Sequence, residues 1–143
     1  MKIGLIDVDS HNFPNLALMK ISAFHKSLGH EVEWANCFEH YNTIYKAKIF
    51  TFTPDEKHIY NADQIIKGGT GYDIYSNLPL AVENTYPDYG LYEITDTAYG
   101  YLSRGCPRGC PFCIVGIKEG KTSRKVADLD MWWNGQKNIK LLD

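Results

Sequence analysis

Three of the four cysteines in this chain fall within eight positions, in the stretch SRGCPRGCPFCIVG that spans residues 103–116. Cys106, Cys110 and Cys113 are separated by three and then two residues, with proline and glycine filling the gaps. Thiolates are soft ligands that select zinc, copper(I) or iron–sulfur clusters. Structural zinc takes four protein ligands, usually as two separated pairs. Here the remaining thiol, Cys37, lies far upstream, and no histidine follows His58. A redox CxxC pair would use Cys110 and Cys113 and leave Cys106 unexplained. Three thiolates on one glycine-rich loop match three irons of a cubane cluster, with the fourth iron open to an outside ligand. Gly105 and Gly109 would let backbone N–H groups approach such a cluster, and Pro107 and Pro111 would stiffen the loop. Two rival readings stand beside this one. The first is a non-enzymatic α/β module holding zinc with the three thiolates and Cys37. The second is a nucleotide-binding α/β domain whose cysteines are incidental.

The elements that would position the loop follow from the hydrophobic pattern. KIGLIDV at residues 2–8 is a short apolar run ending in acidic residues, as a buried parallel strand would be. After the loop DSHNFPN, Leu16, Met19, Ile21, Ala23, Phe24 and Leu28 recur near the helical period. Pro14 suits a first helical turn and Gly29 a C-terminal cap. EVEWAN at 31–36 completes a strand–helix–strand unit, IYKAKIFTF at 44–52 reads as a third strand, and QIIKGGTGYD at 64–73 as a fourth. The expectation for residues 1–75 is a parallel sheet with helices on its faces. Residues 76–96, rich in turn formers, read as a linker or wrapping segment. A second unit over 97–143 starts with strand TAYGYLS, enters the cysteine loop, continues as a helix through RKVADLDMWW and ends in strand NIKLLD.

CPRGCPFC fits the CxxxCxxC signature and so resembles the radical S-adenosylmethionine enzymes, including an aromatic residue, Phe112, just before the third cysteine. The resemblance implies that Cys106, Cys110 and Cys113 ligate a [4Fe–4S] cluster whose open iron chelates S-adenosylmethionine. Reduction by a flavodoxin- or ferredoxin-like donor would then give a 5′-deoxyadenosyl radical that acts on a substrate the sequence does not name. It further implies that residues 97–143 begin a (β/α) barrel whose remaining strands lie outside this sequence. The chain alone is therefore not expected to catalyse.

An α/β unit before such a loop resembles the cobalamin-binding, Rossmann-like architecture. DSHNFPN echoes that fold's D-x-H-x-x-G loop, with Asp9 and His11 matching and Pro14 standing where glycine belongs. GGTGYD, with Gly68 and Gly69, occupies the place of the later glycine-rich loop beside the nucleotide tail, although such a loop is also a plain tight turn. Cobalamin is a possible cofactor on this resemblance, and a cobalamin-type fold without the cofactor is favoured over it.

The other candidates have plainer readings. Cys37 reads as a small buried hydrophobe, and His25 and His30 as surface or capping residues. Asp7 and Asp9 end a parallel strand, where sites often form. Arg104 and Arg108 would offset cluster charge or lie solvated, and KEGKTSRK at 118–125 reads as a solvated loop. Trp132 and Trp133 read as packing residues.

The 143 residues carry a net charge of -2 and are 44% hydrophobic. That balance makes no general electrostatic case for nucleic acid or an anionic membrane. No apolar run approaches the roughly 20 residues of a membrane span, and the N-terminus lacks a signal-peptide pattern. The chain reads as cytoplasmic, where structural disulfides are not expected.

Overall fold

The computed structural model describes residues 1–143, which divide into two compact units, Met1–Tyr92 and Glu93–Asp143. The first is a small α/β unit. Its strands are β1 (Lys2–Asp7), β2 (Glu31–Trp34), β3 (His40–Ala47) and β4 (Asn61–Gly68), and its main helix is α1 (Leu16–Ser27). The four strands form one sheet in the order β2-β1-β3-β4, every neighbouring pair parallel. The parallel sheet read from the sequence is therefore present, with β3 and β4 each beginning a few residues earlier than their apolar runs.

Helix α1 starts where the chain offers a cap. Asn15 sits at the N-cap and its side chain accepts the N–H of Leu18 at 3.2 Å, so the cap is Asn15 and Pro14 precedes it. At the other end Leu28 is the C-cap and Gly29 follows at φ +76°, the left-handed position that glycine accepts at no steric cost. The buried face is Leu18, Met19, Ile21, Ser22 and His25, whereas Leu28 is exposed.

Alternation along β1 sends Ile3 and Leu5 to one face of the sheet and Gly4 and Ile6 to the other. Ile3 and Leu5 pack with Leu18, Ile21, Ala47 and Val82 in the larger core. Val82 belongs to a one-turn helix, α2 (Leu80–Glu83). The segment around it lies along α1 through polar contacts: Lys20 Nζ pairs with Glu83 at 2.9 Å, and Asp88 accepts from Ser22 Oγ at 2.7 Å and from Lys26 Nζ at 2.6 Å. Those contacts explain how Lys20 and Ser22 come to be buried on an otherwise apolar helix face.

The opposite face carries no helix, a correction to the expectation of helices on both faces. Ile6, Tyr41 and Ile44 pack there with Val8, Ala35, Tyr60 and Ala62. The link from β2 to β3 is only residues 35–39, too short for a helical crossover, and it passes β1 through a turn in which Asn36 Oδ1 accepts the N–H groups of Phe38 and Glu39 at 3.0 and 3.1 Å. Gly4 makes room for it. A Cβ at Gly4 would lie 2.9 Å from Ile44, 3.0 Å from Tyr41 and 3.1 Å from Ala35. Cys37 sits on this link and is exposed, not buried as a small hydrophobe.

The second unit contains β5 (Thr97–Gly100), β6 (Ser103–Arg104), α3 (Val115–Lys118), β7 (Arg124–Lys125) and β8 (Asn138–Leu141). β5 pairs with β8 in parallel and β6 with β7 antiparallel. The helix expected over RKVADLDMWW is replaced by β7 and a short 3₁₀ turn, Leu129–Met131. Arg124 and Lys125 are drawn into the ladder with Arg104 and Ser103, a tertiary pairing that overrides a weak local preference. Trp132 is buried and packs so closely on Gly100 that a Cβ there would collide with the indole.

His25 is another correction, because it lies inside. It is only 9% exposed, its Nδ1 is 2.9 Å from His30 Nδ1, and its Nε2 is 3.0 Å from Tyr45 Oη. Burial, then the neighbouring His30, lowers its pKa from 6.5. The unfolded chain therefore takes the proton first as pH falls, and stability is lost from about pH 6.5 downward through the lower folded value. The urea midpoint, followed by far-UV circular dichroism, should fall between pH 7.5 and 5.5, and His25→Gln should flatten that decline.

Candidate functional site

The cysteine loop is framed by β6 on entry and by α3 and β7 on exit. All three thiols are free and half-buried, while Phe112 is 90% exposed. The entry arm is held by two carboxylates. Asp143 accepts the N–H of Leu102 at 2.8 Å, the N–H of Ser103 at 3.0 Å and the Ser103 hydroxyl at 2.8 Å. Burial would raise the Asp143 pKa, but these donors outweigh it and hold the group below its ordinary value. Glu119 accepts from Arg104 Nη1 at 3.2 Å and from the Gly105 N–H at 3.3 Å. The next residue, Gly120, accepts the Cys106 N–H through its carbonyl at 3.1 Å. Arg104 also lies over the Tyr101 ring at 4.0 Å, so its guanidinium is already engaged by a carboxylate and an aromatic face.

Two glycines let the loop turn. Gly105 has φ +93° and Gly109 φ +63°. At Gly105 a Cβ would also collide with the backbone carbonyl of Thr122, so only glycine fits there. Beyond Gly109 the Cys113 N–H donates to the Cys110 carbonyl at 3.0 Å, and α3 begins two residues later at Val115. Five of these seven arm and turn hydrogen bonds are donated by backbone N–H groups, which fixes the path of the chain more than the direction of the thiols. No three His, Cys, Asp or Glu side chains stand close enough to form a metal-holding group. The trio shares one loop without converging. Its chemistry fits a thiophilic cluster all the same: three uncrosslinked sulfurs, half in contact with solvent, on a loop fixed at both arms.

The first unit places its candidates at the carboxyl ends of the parallel strands, where open α/β sheets commonly bind ligands. A pocket of about 290 Å³ is lined by Asp7, Ser10, His11, Trp34 and Tyr92. Asp7 accepts the Ser10 N–H at 3.1 Å and the Tyr92 hydroxyl at 2.5 Å. Burial and then that carboxylate push the Tyr92 phenol well above its ordinary value. His11 is exposed on this loop. Asp9 is not in the pocket. It is 6% exposed and accepts the N–H groups of Ile49 at 2.8 Å and Phe50 at 2.9 Å. Burial opposes its charge, but the two donors prevail and lower its pKa. Trp34 and Tyr92, whose rings meet edge-on at 5.2 Å, were not singled out from the sequence. The acidic end of β1 was the available signal for a site there.

Gly68 and Gly69 lie at the end of β4. Gly69 has φ +93°, and a Cβ on it would collide with the Lys48 carbonyl. The Gly71 N–H donates to Lys48 at 2.9 Å, and those of Tyr72 and Asp73 donate to Gly69 at 3.0 and 3.1 Å. The N–H groups of Gly71, Tyr72 and Asp73 in this turn are thus used within the protein.

No family model matches the chain, and no solved structure matches it. Among curated proteins, it is similar to a CDK5RAP1-like protein of Oryza sativa subsp. japonica, 30% identical over 112 residues. The match covers 61% of this chain and 19% of that protein, so the chain spans about a fifth of the length of the curated relative it matches. The family expectation is corrected by these findings. A radical S-adenosylmethionine protein with a cobalamin-binding-like first domain is matched by no family model, and the relative found bears neither name. The structure adds a physical reason on the cobalamin side, since one face of the sheet carries no helix and packs instead with Val8, Ala35 and Tyr60. No helix is long and apolar enough to cross a membrane.

The steric demand at Gly105 can be checked directly. Gly105→Ala should destabilise the loop by at least about 1–2 kcal/mol, the cost of a left-handed non-glycine residue. Limited proteolysis should then cut within 106–118 faster than in the parent chain, with the melting of the first unit unchanged.

Proposed function

We propose that Cys106, Cys110 and Cys113 hold a [4Fe–4S] cluster by three of its irons and leave the fourth to the amino and carboxylate groups of S-adenosylmethionine. When bound and reduced by a flavodoxin- or ferredoxin-like donor, such a cluster would supply the one electron needed to cleave S-adenosylmethionine to methionine and a 5′-deoxyadenosyl radical, which would take a hydrogen atom from a substrate. The observation that carries this reading is three free thiols within eight positions of a single loop, with no disulfide among them.

The chain's own residues do three things in this scheme. The thiols supply the soft donors. Gly105 and Gly109 supply the left-handed turns that keep the three thiols on one short loop. The clamps of Asp143 and Glu119 hold the entry arm, so closure of the loop on iron orders a short segment and costs little conformational entropy. The parallel pairing of β5 with β8 suits the opening strands of a (β/α) barrel, which would exclude water from the radical. Turnover would require those further strands.

Anaerobic reconstitution with ferrous iron and sulfide tests the reading. About four irons and four sulfides per chain are expected, with broad visible absorption that dithionite bleaches. S-adenosylmethionine should change the electron paramagnetic resonance of the reduced cluster, and Cys106→Ala should lose most of the iron. Stoichiometric zinc with no bleachable colour would replace this reading with a zinc module.

A further inference from the structure

The residues just beyond the cysteine loop return to its start, and this closes a ring of hydrogen bonds around it. Cys113 is followed by Ile114, the N-cap of α3. Helix α3 runs Val115–Lys118, and Glu119 caps its end by donating its N–H to the Val115 carbonyl at 2.8 Å. Glu119 and Gly120 then receive the two consecutive N–H groups of Gly105 and Cys106, at 3.3 and 3.1 Å. A single helical turn therefore lies between the third cysteine and the pair of acceptors that fixes the first. Glu119 is mostly buried, its side chain 17% exposed, and its other oxygen is paired with Arg104 at 3.2 Å. Arg124 donates back to the Glu119 carbonyl, which ties β7 to the same point.

We propose that Glu119 is a positioning residue for metal uptake: it holds the Arg104–Gly105 peptide through the Gly105 N–H, beside the Gly120 carbonyl that holds the Cys106 N–H, and so helps set the backbone leading into Cys106 at a fixed separation from Cys113. The proposal rests on the cluster reading above, and it adds a residue that carries no thiol. The physical reason is that a buried carboxylate accepting a backbone N–H holds that peptide in one orientation. A ligand whose peptide is free to rotate loses part of its binding energy to ordering. Partners that orient metal ligands typically cost 10–100-fold in metal affinity when removed.

The test uses the full chain, anaerobically, with ferrous iron and sulfide as the probe. Glu119→Ala should bind iron about 10–100-fold more weakly than the parent. Glu119→Gln keeps an amide oxygen for the Gly105 N–H and should recover iron binding to within a few-fold of the parent, although it loses the Arg104 ion pair. The reduction potential of loaded Glu119→Gln should match the parent, while residual loaded Glu119→Ala should show a broadened paramagnetic signal from unevenly held irons. If Glu119→Ala does not fold, judged by metal-free melting, Glu119→Gln alone decides, and its failure to load overturns the proposal. Parental iron affinity in Glu119→Ala also overturns it. A parent chain that takes up no cluster overturns the cluster reading itself, an outcome distinct from both.

Discussion

Backbone leaving a strand carries N–H groups with no ladder partner, and in this chain carboxylates take them. Asp7 holds Ser10 beside the end of β1, Asp9 holds Ile49 and Phe50 beyond β3, Asp143 holds Leu102 and Ser103 beyond β5, and Glu119 holds Gly105. An unsatisfied N–H in a half-buried loop costs about 1–3 kcal/mol, more than the net gain from most single contacts. The anion is stabilised in return, which is why Asp9 and Asp143 both sit below the ordinary carboxylate range despite their burial. Both units depend on this one arrangement to keep strand-end loops in a defined path. Without it the cysteine loop would have thiols and no frame.

In the first unit the same economy of chain produces an unusual second face. A parallel crossover normally spends a helix on the return, but the residues between β2 and β3 number too few for one. They pass β1 through the turn at Asn36, and Gly4, which has no side chain, leaves room there for Ala35, Tyr41 and Ile44. Tyr41 then fills the space and uses its hydroxyl, donating to Glu33 at 2.7 Å and accepting from Asn36 at 3.1 Å. Lys2 pairs with Glu33 at 3.2 Å and so adds a charge at the rim of the same cluster. Apolar packing and a small polar network thus replace the missing helix. The other face is conventional, with α1 lying over Ile3 and Leu5.

Much of the fold was legible from pattern. The strand–helix–strand opening, the cap at Gly29 and the strands β5 and β8 follow from periodicity and punctuation, which are local and need no knowledge of partners. The reading failed where a partner decided. RKVADLDMWW has no strong helical signal of its own, and pairing of Arg124 with Arg104 made it a strand and a turn. His25 looked like a surface histidine because imidazole is usually wet, and only His30 and Tyr45 gave it a reason to be inside. Cys37 was judged by its residue type, yet it falls on the link between β2 and β3 and is exposed.

By itself the sequence determined the donor set: three thiols at a spacing of three and two residues on a loop of glycine and proline, and a parallel α/β unit ahead of it. Those are properties of residue type and of distance along the chain, so no folding was needed to read them. Tertiary structure alone decided which carboxylates hold that loop. Glu119 and Asp143 lie 14 and 40 residues from the backbone groups they accept from. A contact across that separation is selected by how strands and turns come together, and a carboxylate in sequence carries no mark of the N–H it will meet.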